Sequence, residues 1–181
     1  LVLRESTTPI SHVDPVFIQE DASQITVSTG PLRAMISKTA FNLFENVWLD
    51  RNGNRVYEVG EIVASAFGDN IEILDSTTGE IWSGVGVPDN VIWEYQGPMR
   101  ATLRIDGKYR TTGVYTASKH LMYTTRITFY AGKTEVKIEH VLRNSYQSNE
   151  RHVKVRSATL KIGNGGSVVK AVRSGSISWA N

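Results

Sequence analysis

Cysteine is absent from the 181-residue chain, which excludes disulfide staples, a cysteine nucleophile and thiolate metal ligation. No apolar run approaches the roughly eighteen residues that a membrane-spanning helix needs, so nothing reads as a membrane span. The opening Leu1-Val2-Leu3-Arg4 lacks an initiator methionine and a signal-peptide profile, and is read as the start of a mature or excised piece of a larger protein. Acidic residues run out after Glu150, whereas Arg151, Lys154, Arg156, Lys161, Lys170 and Arg173 follow. Residues 1–100 balance to −8 and residues 101–181 to +10, within a net charge of only +2. Such asymmetry suggests an anionic partner or head-to-tail self-association, and fades if the two halves intertwine. Arg151, Lys154 and Arg156 are the candidate contacts to an anionic partner.

The usual catalytic signatures are missing as well. His12, His120, His140 and His152 are scattered, with no His-x-His or His-Glu-x-x-His spacing, so no metal site is expected. No phosphate loop, dinucleotide fingerprint or nucleophile elbow occurs, and Gly84-Val85-Gly86 lacks the third glycine of a Gly-x-Gly-x-x-Gly loop. No cofactor is expected. The basic C-terminal third does not form a helix face and carries no RNA-recognition consensus, which argues against nucleic acid and makes an acidic polysaccharide at least as natural an anion.

Helical spacing is nearly absent, and what is present alternates with period two. Gln24 to Ser28 and Thr134 to Leu142 place their apolar residues on one face, as half-buried antiparallel strands do. Turn signals stand between such runs at Asn52-Gly53, Asp75 to Gly79, Asp106-Gly107, Ala131 to Lys133 and Gly163 to Gly166. About ten to twelve strands are expected in a single all-β domain spanning residues 1–181.

One internal repeat organises the chain. Thr29-Gly30-Pro31-Leu32-Arg33-Ala34-Met35-Ile36 and Gln96-Gly97-Pro98-Met99-Arg100-Ala101-Thr102-Leu103 share the pattern x-Gly-Pro-apolar-Arg-Ala-x-apolar. Proline donates no ladder hydrogen bond and glycine permits unusual dihedrals, so Gly-Pro suits a strand entrance. The repeat predicts duplicated halves at about 24–90 and 91–162. In the first, Phe44 to Leu49 is expected to pair with Arg55 to Val59 around Asn52-Gly53; in the second, Thr124 to Tyr130 with Glu135 to Leu142 around Gly132. Arg110 to His120, polar and hydroxyl-rich, reads as an exposed loop or edge excursion of the second half. Two strand-rich halves favour a closed, pseudo-symmetric, mainly antiparallel barrel, with a two-layer sandwich as the alternative.

Individual residues point less sharply. His140 shares a face with Val136, Ile138 and Leu142, where it could be a general base, but a histidine among aliphatics is more often a hydrogen-bonded core residue. Trp82 and Trp93 flank the loop Ser83 to Asn90 and serve either as loop anchors or as platforms for sugar rings. With Tyr115 and His120 they are the candidate carbohydrate contacts. The repeated Arg33 and Arg100 read as architecture, with Glu94 the expected partner of Arg100.

The run Thr29 to Lys38, then Phe41-Asn42-Leu43-Phe44, Val47-Trp48-Leu49-Asp50, Glu94 to Ala101, Arg126 to Gly132 and Val136 to His140, resembles the N-terminal barrel of the exo-rhamnogalacturonan lyase and YetA-like family. The resemblance implies a RIFT-type barrel, and a larger protein whose lyase chemistry resides in a downstream α/α-toroid. It therefore implies a non-catalytic accessory module, extracellular or in a bacterial cell envelope, that packs beside the catalytic domain and handles acidic polysaccharide. No catalytic residue carries over. The alternative is a self-assembling structural subunit of an extracellular filament or phage tail, supported by the opposed charges of the halves.

Overall fold

The computed structural model describes residues 14–66, 68–111, 117–144, 155–164 and 167–171. Thirteen strands form one sheet. They are β1 (Phe17–Glu20), β2 (Gln24–Ser28), β3 (Leu32–Ser37), β4 (Asn46–Leu49), β5 (Ile62–Ser65), β6 (Ile71–Asp75) and β7 (Ile81–Ser83). There follow β8 (Asn90–Gln96), β9 (Arg100–Thr111), β10 (Ala117–Tyr130), β11 (Val136–Asn144), β12 (Val155–Asn164) and β13 (Ser167–Ala171). The helical element among the described residues is a single 3₁₀ turn, Val59–Glu61. The expected all-β, antiparallel class is what forms.

The repeat marks equivalent places. Gly30-Pro31 joins β2 to β3 in the antiparallel meander β2-β3-β4-β5, and Gly97-Pro98 joins β8 to β9 in the meander β8-β9-β10-β11. Alternation follows the same parity in both. Leu32, Ala34 and Ile36 are buried in β3, and Ala101, Leu103 and Ile105 in β9. The two meanders contribute to one core, in which Phe41 stacks on Tyr123 with centroids 6.1 Å apart. They also meet at the Gly-Pro end: the buried Thr29 donates its hydroxyl to the Lys133 carbonyl at 2.6 Å, and its own carbonyl accepts from the Gly132 amide at 2.7 Å.

The ladder runs β1-β2-β3-β4-β5-β12-β6-β7-β9-β10-β11, with β13 on β12 and β8 on β9. Its end strands β1 and β11 do not pair with each other among the described residues, so the sheet is open there, and it fits the two-layer sandwich better than the expected closed barrel. Burying apolar faces against each other satisfies the core without closure. A strand from the end of the chain, β12, lies between β5 and β6, so the sequence halves interleave. Interleaving pairs Lys161 with Glu72, while within the β8-β9-β10 region Lys108 pairs with Asp89 at 3.2 Å and Arg126 with Glu94 at 2.8 Å.

Three local expectations change, the first being that Asp106-Gly107 is not a turn but lies inside β9, opposite Thr124 and Tyr123. Arg55 to Val59 does not form the partner of β4, which pairs instead with β5. Asp50 accepts from the Gly53 and Arg55 amides at 2.7 and 2.8 Å, and Asn52 and Asn54 cap amides two residues on. Side-chain oxygens thus take the amides that a hairpin ladder would use. The segment Arg110 to His120 is not simply a loop: Arg110 and Thr111 continue β9, and Ala117 to His120 begin β10, with Ala117 opposite Arg110. Its β-branched threonines suit a strand as well as a loop.

Candidate functional site

A cavity of about 300 Å³ lies at the first Gly-Pro turn, lined by Asp14, Pro15, Phe17, Ser28, Gly30, Arg33, Arg55 and Tyr57. The fold assembles it from three stretches: the entry to β1, the β2–β3 turn and the loop after β4. Gly30 has φ +100°, and a Cβ there would stand 2.6 Å from the Asp14 Cβ, so only glycine lets Asp14 approach this closely. Asp14 forms an ion pair with Arg55. These two residues adopt φ of 130° and 63°, a region that non-glycine residues occupy at a cost.

Tyr57 is held rigidly in this wall. Its hydroxyl lies 2.6 Å from Ser28 Oγ and donates to the Gly30 carbonyl at 2.8 Å. Above its ring sits Arg33, with the guanidinium carbon 4.3 Å from the centroid. Stacking uses the face of the cation and leaves its in-plane donors for acceptors. Arg33 Nε is buried with no hydrogen-bond partner among the described residues. Phe17, 59% exposed, completes the rim.

A second polar cluster surrounds the half-buried His140. Its Nε2 lies 2.9 Å from the Tyr109 hydroxyl and its Nδ1 2.8 Å from the Thr125 hydroxyl. Tyr123 packs tilted against the ring at 5.4 Å, and Tyr109 meets Tyr123 edge-on at 5.5 Å. Burial lowers the imidazole pKa from 6.5 to about 4 and pushes both tyrosines up. Both imidazole nitrogens are engaged by neighbouring hydroxyls, which satisfies the polar atoms of this half-buried ring.

Outside the core, the face of β8, β9 and β10 carries an ionic ladder. Arg126 grips Glu94 through Nε and Nη2 at 2.8 and 2.9 Å, and Arg104 reaches Asp106 at 2.9 Å. The hydrogen bond from Arg126 holds the Glu94 carboxyl below its usual range. For Asp106, burial acts upward, but the hydrogen bonds from Thr124 and Arg104 together with Arg104's charge bring the net shift downward. Glu94 is therefore the partner of Arg126, not of Arg100, which stacks on Tyr95 with its guanidinium carbon 4.7 Å from the centroid.

The tryptophans are not brought together. Trp82 in β7 stands opposite Thr111 and Trp93 in β8 opposite Leu103, and the intervening stretch of β9 spans about 27 Å. Each is half-buried against the core. Trp93 donates to Glu20 at 2.9 Å, while the buried Trp82 Nε1 has no partner among the described residues. Gly84 and Gly86 are packing glycines: a Cβ at Gly84 would meet Ile71 at 2.7 Å, and one at Gly86 would meet Arg110 Nη1 at 2.2 Å.

Tyr115, Arg151 and Lys154 lie outside the described residues. His120 opens β10, where the backbone alone is described, and Arg156 is exposed on β12. The cavity was missed because Phe17, Ser28, Arg33 and Tyr57 share no sequence spacing. The repeated arginine was its one legible signal. Among the described residues no group of His, Asp and Glu is placed to hold a metal, and no helix is long and apolar enough to cross a membrane.

The family model described as the PcRGLX-like protein central β-sandwich domain matches residues 16–163. Its description names a central sandwich where the resemblance in sequence implied an N-terminal barrel, in agreement with the open ladder. No curated protein matches the chain.

Proposed function

The chain belongs to the PcRGLX-like protein central β-sandwich domain family, and from that premise we propose that it is a non-catalytic module of a rhamnogalacturonan-degrading, lyase-like protein. In this reading it buttresses a catalytic α/α-toroid of the same polypeptide, outside the cell or in a bacterial cell envelope, and touches acidic polysaccharide. The family match over residues 16–163 carries the proposal. The engagement of both His140 nitrogens by Tyr109 and Thr125 supports it, because the group best suited to general-base work is occupied in the core.

Incubation of the chain alone with rhamnogalacturonan should release no unsaturated uronide, and its addition to the remainder of its polypeptide should raise the toroid's thermal midpoint. Lyase activity from the isolated chain would overturn the reading. The filament-subunit alternative draws on the ladder ends β1 and β11, each paired on one side alone among the described residues and so able to accept a further strand. Light scattering across ionic strength separates the two: a salt-independent monomer excludes self-assembly.

A further inference from the structure

We propose that the cavity at the first Gly-Pro turn binds one hexuronate residue, with Arg33 meeting its carboxylate and Phe17 its ring face. The inference deepens, and rests on, the reading that this module touches acidic polysaccharide. Its volume, about 300 Å³, is at the small end of ligand pockets and suits a single sugar ring.

Charge sets the ligand's sign. Asp14 answers the charge of Arg55, but Arg33 makes no ion pair among the described residues, so the lining keeps one unmet positive charge. The buried Arg33 Nε has no acceptor among the described residues, a costly state that an anion drawn against it would relieve. Because Tyr57 is pinned by Ser28 and Gly30, the stacked guanidinium is held in a fixed plane. A planar fork of N–H donors matches a planar carboxylate in two parallel hydrogen bonds. The exposed Phe17 ring offers an apolar platform for sugar C–H groups, which a bare anion would not use. Arg100 supplies an internal contrast: it stacks on Tyr95 in the same way but is exposed and is not part of this cavity's lining.

The test is an NMR titration of the 181-residue chain with trigalacturonate, galactotriose and inorganic phosphate. Trigalacturonate should shift the amides of Phe17, Ser28 and Gly30 and the Arg33 Nε–H, and should bind at least about tenfold more tightly than galactotriose or phosphate. Arg33→Gln should weaken trigalacturonate by about tenfold or more, Arg33→Lys should recover part of the loss, and Arg100→Gln should change nothing. Phe17→Ala, on the rim and outside the core, is the second variant should Arg33→Gln disturb folding, with a loss of about threefold expected. Equal binding of the neutral sugar or of phosphate overturns the proposal, as do unchanged affinity in a folded Arg33→Gln and the absence of shifts at the cavity. Toroid support is read separately, so a silent titration with an intact thermal effect removes the subsite and leaves the module.

Discussion

Arg33 and Arg100 follow the same Gly-Pro string and lie over tyrosines at 4.3 and 4.7 Å, and each stands opposite an aromatic on the next strand, Trp48 and Tyr130. Around them the two copies diverge. In the first, the turn closes between Thr29 and Leu32; in the second it closes between Gly97 and Arg100, one residue further along the motif. A bulge between Trp93 and Tyr95 in β8 absorbs the slip, so the buried parity of β9 survives. Gly30 consequently takes φ +100° against Asp14, whereas Gly97 does not adopt a positive φ and packs under the Tyr95 ring. Leu32 is buried, but its counterpart Met99 is 52% exposed. The repeated string thus keeps its place at a strand entrance and its inward-facing positions, while a one-residue turn slip accompanies a cavity beside Arg33 and an exposed surface at Arg100.

Replacing the two glycines should separate the copies most strongly. Gly30→Ala combines a positive φ with a 2.6 Å approach to the Asp14 Cβ, and is expected to cost about 3 kcal/mol. Gly97→Ala meets only the Tyr95 ring, 47% exposed and free to swing aside, and should cost less than about 1 kcal/mol. Equal losses in chemical denaturation would break the comparison.

Acid should distinguish them next. The first meander has no histidine, whereas the second holds His140 in its core. With the folded imidazole lowered from 6.5 to about 4, the native state favours the neutral form. Its contribution is complete above about pH 6.5 and is lost as pH falls toward about 4, by about 2 kcal/mol for a group only partly shielded from water. Denaturation at several pH values should show this loss in the wild type and a flatter limb in His140→Gln. Identical profiles would place the acid sensitivity elsewhere, in the carboxylates of Glu20, Glu94 and Asp106, whose lowered pKa values act further down the scale.

The smallest effect concerns the stacking tyrosines. Tyr57→Phe removes the bonds to Ser28 and Gly30 and should cost about 1 kcal/mol, whereas Tyr95→Phe in the open copy should be nearly neutral. A larger loss at Tyr95 would reverse the ranking of the two sites.

Much of the fold was legible because strand patterning is local. Val136 to Leu142 alternates as expected and pairs with β10 around Gly132, whose φ is +65°. The loop after β4 was not legible: Asn52-Gly53 is a genuine turn signal, but Asp50, Asn52 and Asn54 turn the backbone further and move the pairing strand to Ile62. At the site, Arg33 was visible as half of a repeat, but its solvent side and its missing partner were not. Those depend on Phe17 and Tyr57, which lie on separate elements.

By itself the sequence determined an antiparallel all-β chain, the repeated Gly-Pro strand entrance and the inward face of the alternating strands, since alternation and turn residues act over a few positions. Only the tertiary structure decided that the ladder stays open among the described residues, that β12 enters between β5 and β6, and that one repeated arginine lines a cavity while the other faces solvent. Those outcomes rest on contacts between residues distant in the chain, and on a one-residue slip of a turn that the repeated string itself does not encode.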